Sequence, residues 1–199
     1  VPDVTGLRRY VESVSSHAGR NMSRALVIVV ANHPVFAGWS RIEGDGCSLA
    51  CVGSPDGSYP YDRRGLVQHY AGGEAFAGLG DENVSHFEHI KSCGCPGCNG
   101  LQRFNEMKGR GFFANLTMSP KMSDAPWRDL IFHERYSADT DMWEGGYNHL
   151  RGVWRSEPQS VMGTYIAYFN AISRYTIYKE AMRRAGLPCS LDDFIAVSY

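Results

Sequence analysis

Apolar positions recur at helical spacing over residues 5–16. Leu7, Tyr10, Val11 and Val14 fall on one side and Arg8, Arg9 and Glu12 on the other, which predicts an amphipathic helix that Gly19 ends. The unbroken run RALVIVVAN that follows is dense in β-branched residues and predicts an interior strand over 25–31, closed by His33-Pro34. A second strand is expected over 35–42. From Gly44 to Gly80 the periodicity gives way to GDG, SPDGSYP and GLG, predicting loop with one short helix over 62–70. Residues 81–91 read as helix, with Asp81 as cap and Glu82 in the first turn. GFFANLTM, 111–118, alternates as a strand, and helix resumes at Pro126 with Leu130, Ile131 and Phe132.

The carboxy-terminal third carries the clearest period. Ser156 is placed to cap a long helix with Pro158 in its first turn, and Val161, Tyr165, Tyr168, Ile172, Tyr175, Tyr178 and Met182 form its stripe until Gly186 and Pro188. A short helix starts after Ser190, with Asp193 set for a capping box. The expected fold is α+β in one domain over 1–199: a small, mainly antiparallel sheet holding 25–31 and 111–118. The long C-terminal helix and the N-terminal helix pack it, and the middle is loop-rich.

Composition narrows the function. A chain of 199 residues with a formal net charge of −1 has no broad field to draw it to nucleic acid or an anionic surface, so such contacts must be local. No apolar run approaches membrane-spanning length, so no membrane partner is expected. The amino terminus lacks the apolar region of a signal peptide. Six cysteines and N-x-[ST] acceptors at Asn21, Asn83 and Asn115 tilt the expected setting toward export. No P-loop and no H-E-x-x-H occurs.

Chemistry concentrates in SHFEHIKSCGCPGCNG, 85–100. On the expected helix His86 and His89 share a face, and Cys95-Pro96-Gly97-Cys98 is a tight turn that turns both thiolates to one side. With Cys47 and Cys51 a four-sulfur zinc site can be drawn, His86 adding a further ligand. Disulfide bonding of all six cysteines and a reactive cysteine are the other readings of the same residues. His86-Phe87-Glu88 offers the H-x-E of zinc deaminases, but the following pair comes too soon and in the order C-P-x-C.

Glu88-His89 followed by Cys95-Pro96-Gly97-Cys98-Asn99 resembles parts of the HNH nucleases with a zinc-stabilised ββα fold, Cys47 and Cys51 standing for the first cysteine pair. The resemblance implies His89 as general base, Glu88 and Asn99 near a catalytic divalent ion, and the four cysteines on a structural zinc. The expected activity is therefore a metal-dependent hydrolase, most plausibly a zinc-containing phosphodiesterase, with a small-molecule or nucleic-acid substrate. Two alternatives stand beside it. EGDGCSLACVGS resembles the nucleophile segment of papain-like thiol hydrolases, implying Cys47 or Cys51 as nucleophile and Asp45 at the oxyanion site. His133 or His149 would then be the base, oriented by Asp139, Asp141 or Asn148. A secreted, disulfide-bonded binding protein is the other.

Overall fold

The computed structural model describes residues 3–14, 22–34, 37–53, 63–85, 87–92 and 99–198. Helix α1 (Val4–Val14) and strand β1 (Leu26–Ala31) lie where hydrophobic spacing puts them. With β2 (Gly38–Ile42) and β3 (Ser48–Gly53), β1 forms a three-stranded sheet of order β1-β3-β2, parallel between β1 and β3 and antiparallel between β2 and β3. The interior strand is thus β3, in the stretch that turn residues marked as loop. β1 lies at the edge, where Ile28 and Val30 are exposed. Val4, Leu7 and Val11 of α1 cover this sheet at Met22, Cys47 and Leu49.

After β3 a single rod begins as helix α2 (Arg63–Val67) and widens into a π-helix (Gln68–Phe76). A π-helix this long is rare, because each wide turn gives up packing along its axis. Close contact selects its small residues: a Cβ on Gly73 would lie 2.3 Å from the Met162 sulfur. The predicted helix over 81–91 is absent. Residues 77–85 run without regular structure, apart from the last helical residue Ala77, and β4 (Phe87–His89) follows.

The second sheet holds β4, β5 (Leu116–Thr117), β6 (Trp143–Gly146) and β7 (His149–Arg155). β7 pairs parallel with β4 and antiparallel with β5 and β6, so both sheets are mixed and β1 and β5 belong to different ones. Helix α3 (Gly100–Gly109) packs Phe104 against Phe113, Leu116 and Val153 of this sheet. The β6–β7 hairpin turns through Tyr147 and Asn148, both at positive φ, as a two-residue turn matched to strand twist requires. For a residue as large as tyrosine this is a strained conformation.

A short helix α4 (Arg128–Ile131) precedes the hairpin. The predicted long C-terminal helix is two. Helix α5 (Val161–Thr164) is capped by Ser160 and stops where Tyr165 turns left-handed at φ 56°. Helix α6 (Ala171–Ala185) starts at Asn170, whose side chain accepts from the Ser173 amide, and Gly186 closes it. Ser156 caps nothing; it is buried, and its carbonyl accepts from the Asp141 amide. Helix α7 (Leu191–Val197) carries the expected Ser190–Asp193 capping box. Phe194 joins Trp127, Leu130 and Ile172 in the largest core cluster. The class is α+β.

Candidate functional site

The π-helix positions the most concentrated chemistry among the described residues. Five positions separate His69 from Glu74, about 140° around an α-helix, whereas the wider π turn brings both onto one side. The segment after it returns Asp81 to the same point. His69 Nε2 lies 3.2 Å from Glu74 Oε1 and 3.0 Å from Asp81 Oδ1, and its Nδ1 donates to the Val161 carbonyl at 3.0 Å. A carbonyl only accepts, so Nδ1 carries a proton. Facing two carboxylates, Nε2 carries one as well, and the ring is an imidazolium. Burial opposes that charge, but the hydrogen bonds to Asp81 and then Glu74 outweigh it and push the ring up to about 10.

The surroundings hold these groups in place. Ser40 on β2 donates to Glu74 Oε2 at 2.5 Å. Tyr70 and Tyr165 flank the imidazole with ring centroids 4.7 and 4.6 Å away, and burial raises the Tyr70 phenol far above its ordinary range. Asp81 is followed directly by Glu82, which turns the other way into the core. Glu82 accepts from Asn115 at 2.8 Å, from Asn170 at 2.9 and 3.1 Å, and from Ser160. Burial pushes its carboxyl upward against those donors. Asn115 also clamps Gly80 through both its amide and its carbonyl. The 80–82 backbone is therefore fixed on one side of the imidazole, and Ser160, next to Val161, is fixed on the other.

Glu74 and Asp81 open onto a cleft of about 570 Å³. It runs between β2, the end of the π-helix, α3 and the hairpin turn. Arg41, Arg103 and Arg110 line it together with Phe112, Tyr147 and Asn148. Arg41 is held by Glu43 at 2.9 Å.

One oxygen each from Glu74 and Asp81 and one nitrogen from His69 lie within 4.8 Å of one another. Separations of 3.0–3.2 Å from Nε2 to the carboxylate oxygens equal those between neighbouring ligands held about 2.1 Å from one cation. The Val161 contact is the outer hydrogen bond that metal-bound histidines use to fix their tautomer. These residues could hold a divalent cation in place of the Nε2 proton.

The residues singled out in the sequence fall elsewhere. His89 and Glu88 lie on strand β4, not a helix. Glu88 is exposed, while the His89 ring packs on Gly152 and accepts at Nδ1 from the Lys91 amide. Asn99 precedes α3 with no capping bond from its side chain. Cys47 and Cys51 are four positions apart along the extended β3 segment, about 13 Å, which is too far to bind one ion together. Cys47 is fully buried under α1, and that burial raises its thiol, the reverse of what a nucleophile needs. Cys47, Cys51 and Cys189 carry free thiols, so no disulfide joins all six cysteines. His86, Cys93, Cys95 and Cys98 lie outside the described residues. His149 is buried on β7 with Nδ1 on the Tyr147 carbonyl, and His133 lies beyond α4, where its Nδ1 accepts from the Arg135 amide. Of the glycosylation acceptors, Asn115 is fully buried, Asn83 is exposed and Asn21 lies outside the described residues.

The chain matches no protein-family model and no curated protein. Among the described residues no helix is long and apolar enough to cross a membrane. Sequence reasoning missed His69, Glu74 and Asp81 because the five-residue step from His69 to Glu74 fits neither a helical nor a strand period. The only trace was the Gly72-Gly73 pair inside an otherwise helical run.

Proposed function

We propose that the protein is a divalent-metal-dependent hydrolase of phosphate esters, with His69, Glu74 and Asp81 as the protein ligands. The observation that carries this reading is the aim of His69: its outer nitrogen is tied to a backbone carbonyl while its inner one points between two carboxylates at the mouth of a cleft. A cation bound there would supply charge neutralisation for the phosphate and activation of water. The chain's own residues do the rest. Ser40 fixes the rotamer of Glu74, the Asn115 clamp fixes the loop bearing Asp81, and the arginines across the cleft draw in an anion. Hydrolysis forms one P–O bond from the water oxygen and breaks the P–O bond to the alcohol. One proton passes from the water to the leaving oxygen.

Calorimetric titration of the metal-stripped chain with Zn²⁺ and Mn²⁺, followed by assay on p-nitrophenyl phosphate and bis(p-nitrophenyl) phosphate, tests this. The expected result is one site whose affinity falls about 10- to 100-fold in His69→Ala and Asp81→Asn, with hydrolysis lost in parallel. Zinc bound equally well by both variants but lost in a Cys95→Ser/Cys98→Ser chain would overturn it and move the metal to the cysteine run. No binding of either ion would also overturn it.

A further inference from the structure

The cleft in front of the cluster is built for more than an ion. Arg103 on α3 and Arg110, the residue that caps its end, are seven positions apart, two turns and about 10 Å, with Met107 between them, and both line the cleft. Neither guanidinium has a carboxylate partner among the described residues. Arg110 instead lies over the Phe112 ring at 5.0 Å and touches the Met107 sulfur at 3.9 Å. Unpaired guanidiniums facing a cleft are suited to bidentate capture of phosphate oxygens.

The rest of the lining is aromatic and amide-bearing. Phe112 is seated on Gly78, whose place could not carry a side chain, since a Cβ there would lie 2.3 Å from the ring. Tyr147 is held at its strained turn position between Phe104 and Phe113, with centroids 5.3 and 5.4 Å away. The neighbouring Asn148, which accepts from Asn83 at 3.3 Å through Oδ1, also lines the cleft. A volume of about 570 Å³ is that of a small-molecule site. A net charge of −1 gives the chain no broad field to hold a polynucleotide beyond the cleft.

We infer that the ligand of the cleft is a nucleoside phosphate, with its phosphate held by Arg103 and Arg110 beside the His69–Glu74–Asp81 cluster and its base against Phe112 and Tyr147. As a substrate assignment this rests on the hydrolase reading; as a binding site it does not, because the arginines and rings are present without metal. The test is equilibrium binding in EDTA of the common nucleoside 5′-monophosphates, a nucleoside, inorganic phosphate and a single-stranded oligonucleotide. At least one monophosphate should bind about tenfold or more tightly than either phosphate or nucleoside alone. Arg103→Ala/Arg110→Ala should weaken that monophosphate about tenfold or more, and Phe112→Leu, which keeps an apolar seat for Arg110, should weaken the monophosphate more than it weakens phosphate. Both arginines are exposed, so the double variant is expected to keep the wild-type melting temperature, which is measured alongside.

Phosphate binding as tightly as every monophosphate, indifference to the arginine substitutions, or an oligonucleotide binding tighter than any mononucleotide would each overturn the assignment. A His69→Ala chain that binds the monophosphate normally but takes up no metal separates this site from the hydrolase reading. Metal uptake without nucleotide binding separates them the other way.

Discussion

The Nε2 atom of His69 stands 3.0 Å from Oδ1 of Asp81, an ion pair closed at the mouth of a cleft by a ring that is itself fully buried. The charge on the ring is stabilised only because its two carboxylate partners outweigh desolvation.

A folded-state value of about 10, above the ordinary value of 6.5, sets the sign of the pH dependence in the metal-free chain. The stabilisation is fully present below the unfolded value and is lost as pH rises through the folded one. Melting temperature in EDTA should therefore fall between pH 7 and 10 by about 5 °C or more, and His69→Gln should remove that slope. Equal slopes in the two proteins would remove His69 as the cause.

Arg184 of α6 is buried and joins three parts of the fold. It donates to Ser48 of β3 at 2.8 Å and to the Ala25 carbonyl at 3.2 Å, pairs with Glu180 at 2.6 Å, and lies over the Phe76 ring at 4.4 Å. Arg184→Ala removes the bonds to Ser48 and the Ala25 carbonyl, while Glu180 keeps its bidentate pair with Arg183 at 2.7 Å, and urea unfolding should show a loss of about 2–3 kcal/mol. Lysine, a point charge, should recover less than half of it. A loss below about 1 kcal/mol would mean that α6 and the first sheet are not tied through this residue.

Two glycines in the same rod should differ in cost. A Cβ on Gly65 would lie 1.7 Å from the Tyr165 carbonyl oxygen, which is backbone, whereas on Gly73 it meets the Met162 sulfur, the end of a flexible side chain. Gly65→Ala is expected to cost about 3 kcal/mol or more and Gly73→Ala about 1–2 kcal/mol in chemical denaturation. The reverse order would contradict the packing of α5 on the rod.

Ile28 and Val30 tell edge from interior. Either one changed to Thr should move stability by no more than about 0.5 kcal/mol, while Leu49→Ala on the central strand should cost about 2–5 kcal/mol. Urea midpoints of the three variants decide it.

The same strands show what was readable beforehand. Residues 26–31 announce a strand by β-branching, but that property is shared by edge and centre; only the pairing with Ser48–Gly53 assigns the position. β3 was hidden because SLACVG is short and lies between turn signals. Capping at Ser190 and closure at Gly186 were legible, being local hydrogen-bond and backbone chemistry. The break at Tyr165 was not, because Asn170 reads as one more helical position until its amide is seen on Glu82. The candidate site was hidden for a related reason: His69, Glu74 and Asp81 are joined by a wide helical turn and an irregular return, and the conspicuous cysteines drew the eye elsewhere.

The wide turn of residues 68–76 also makes the chain unusually sensitive to its own length. One residue added between His69 and Glu74 would set them six positions apart, far round the rod in either winding, swinging Glu74 away from the imidazole while every side chain of the cluster stayed encoded. A single-codon insertion could thus silence the cleft without touching any residue that lines it.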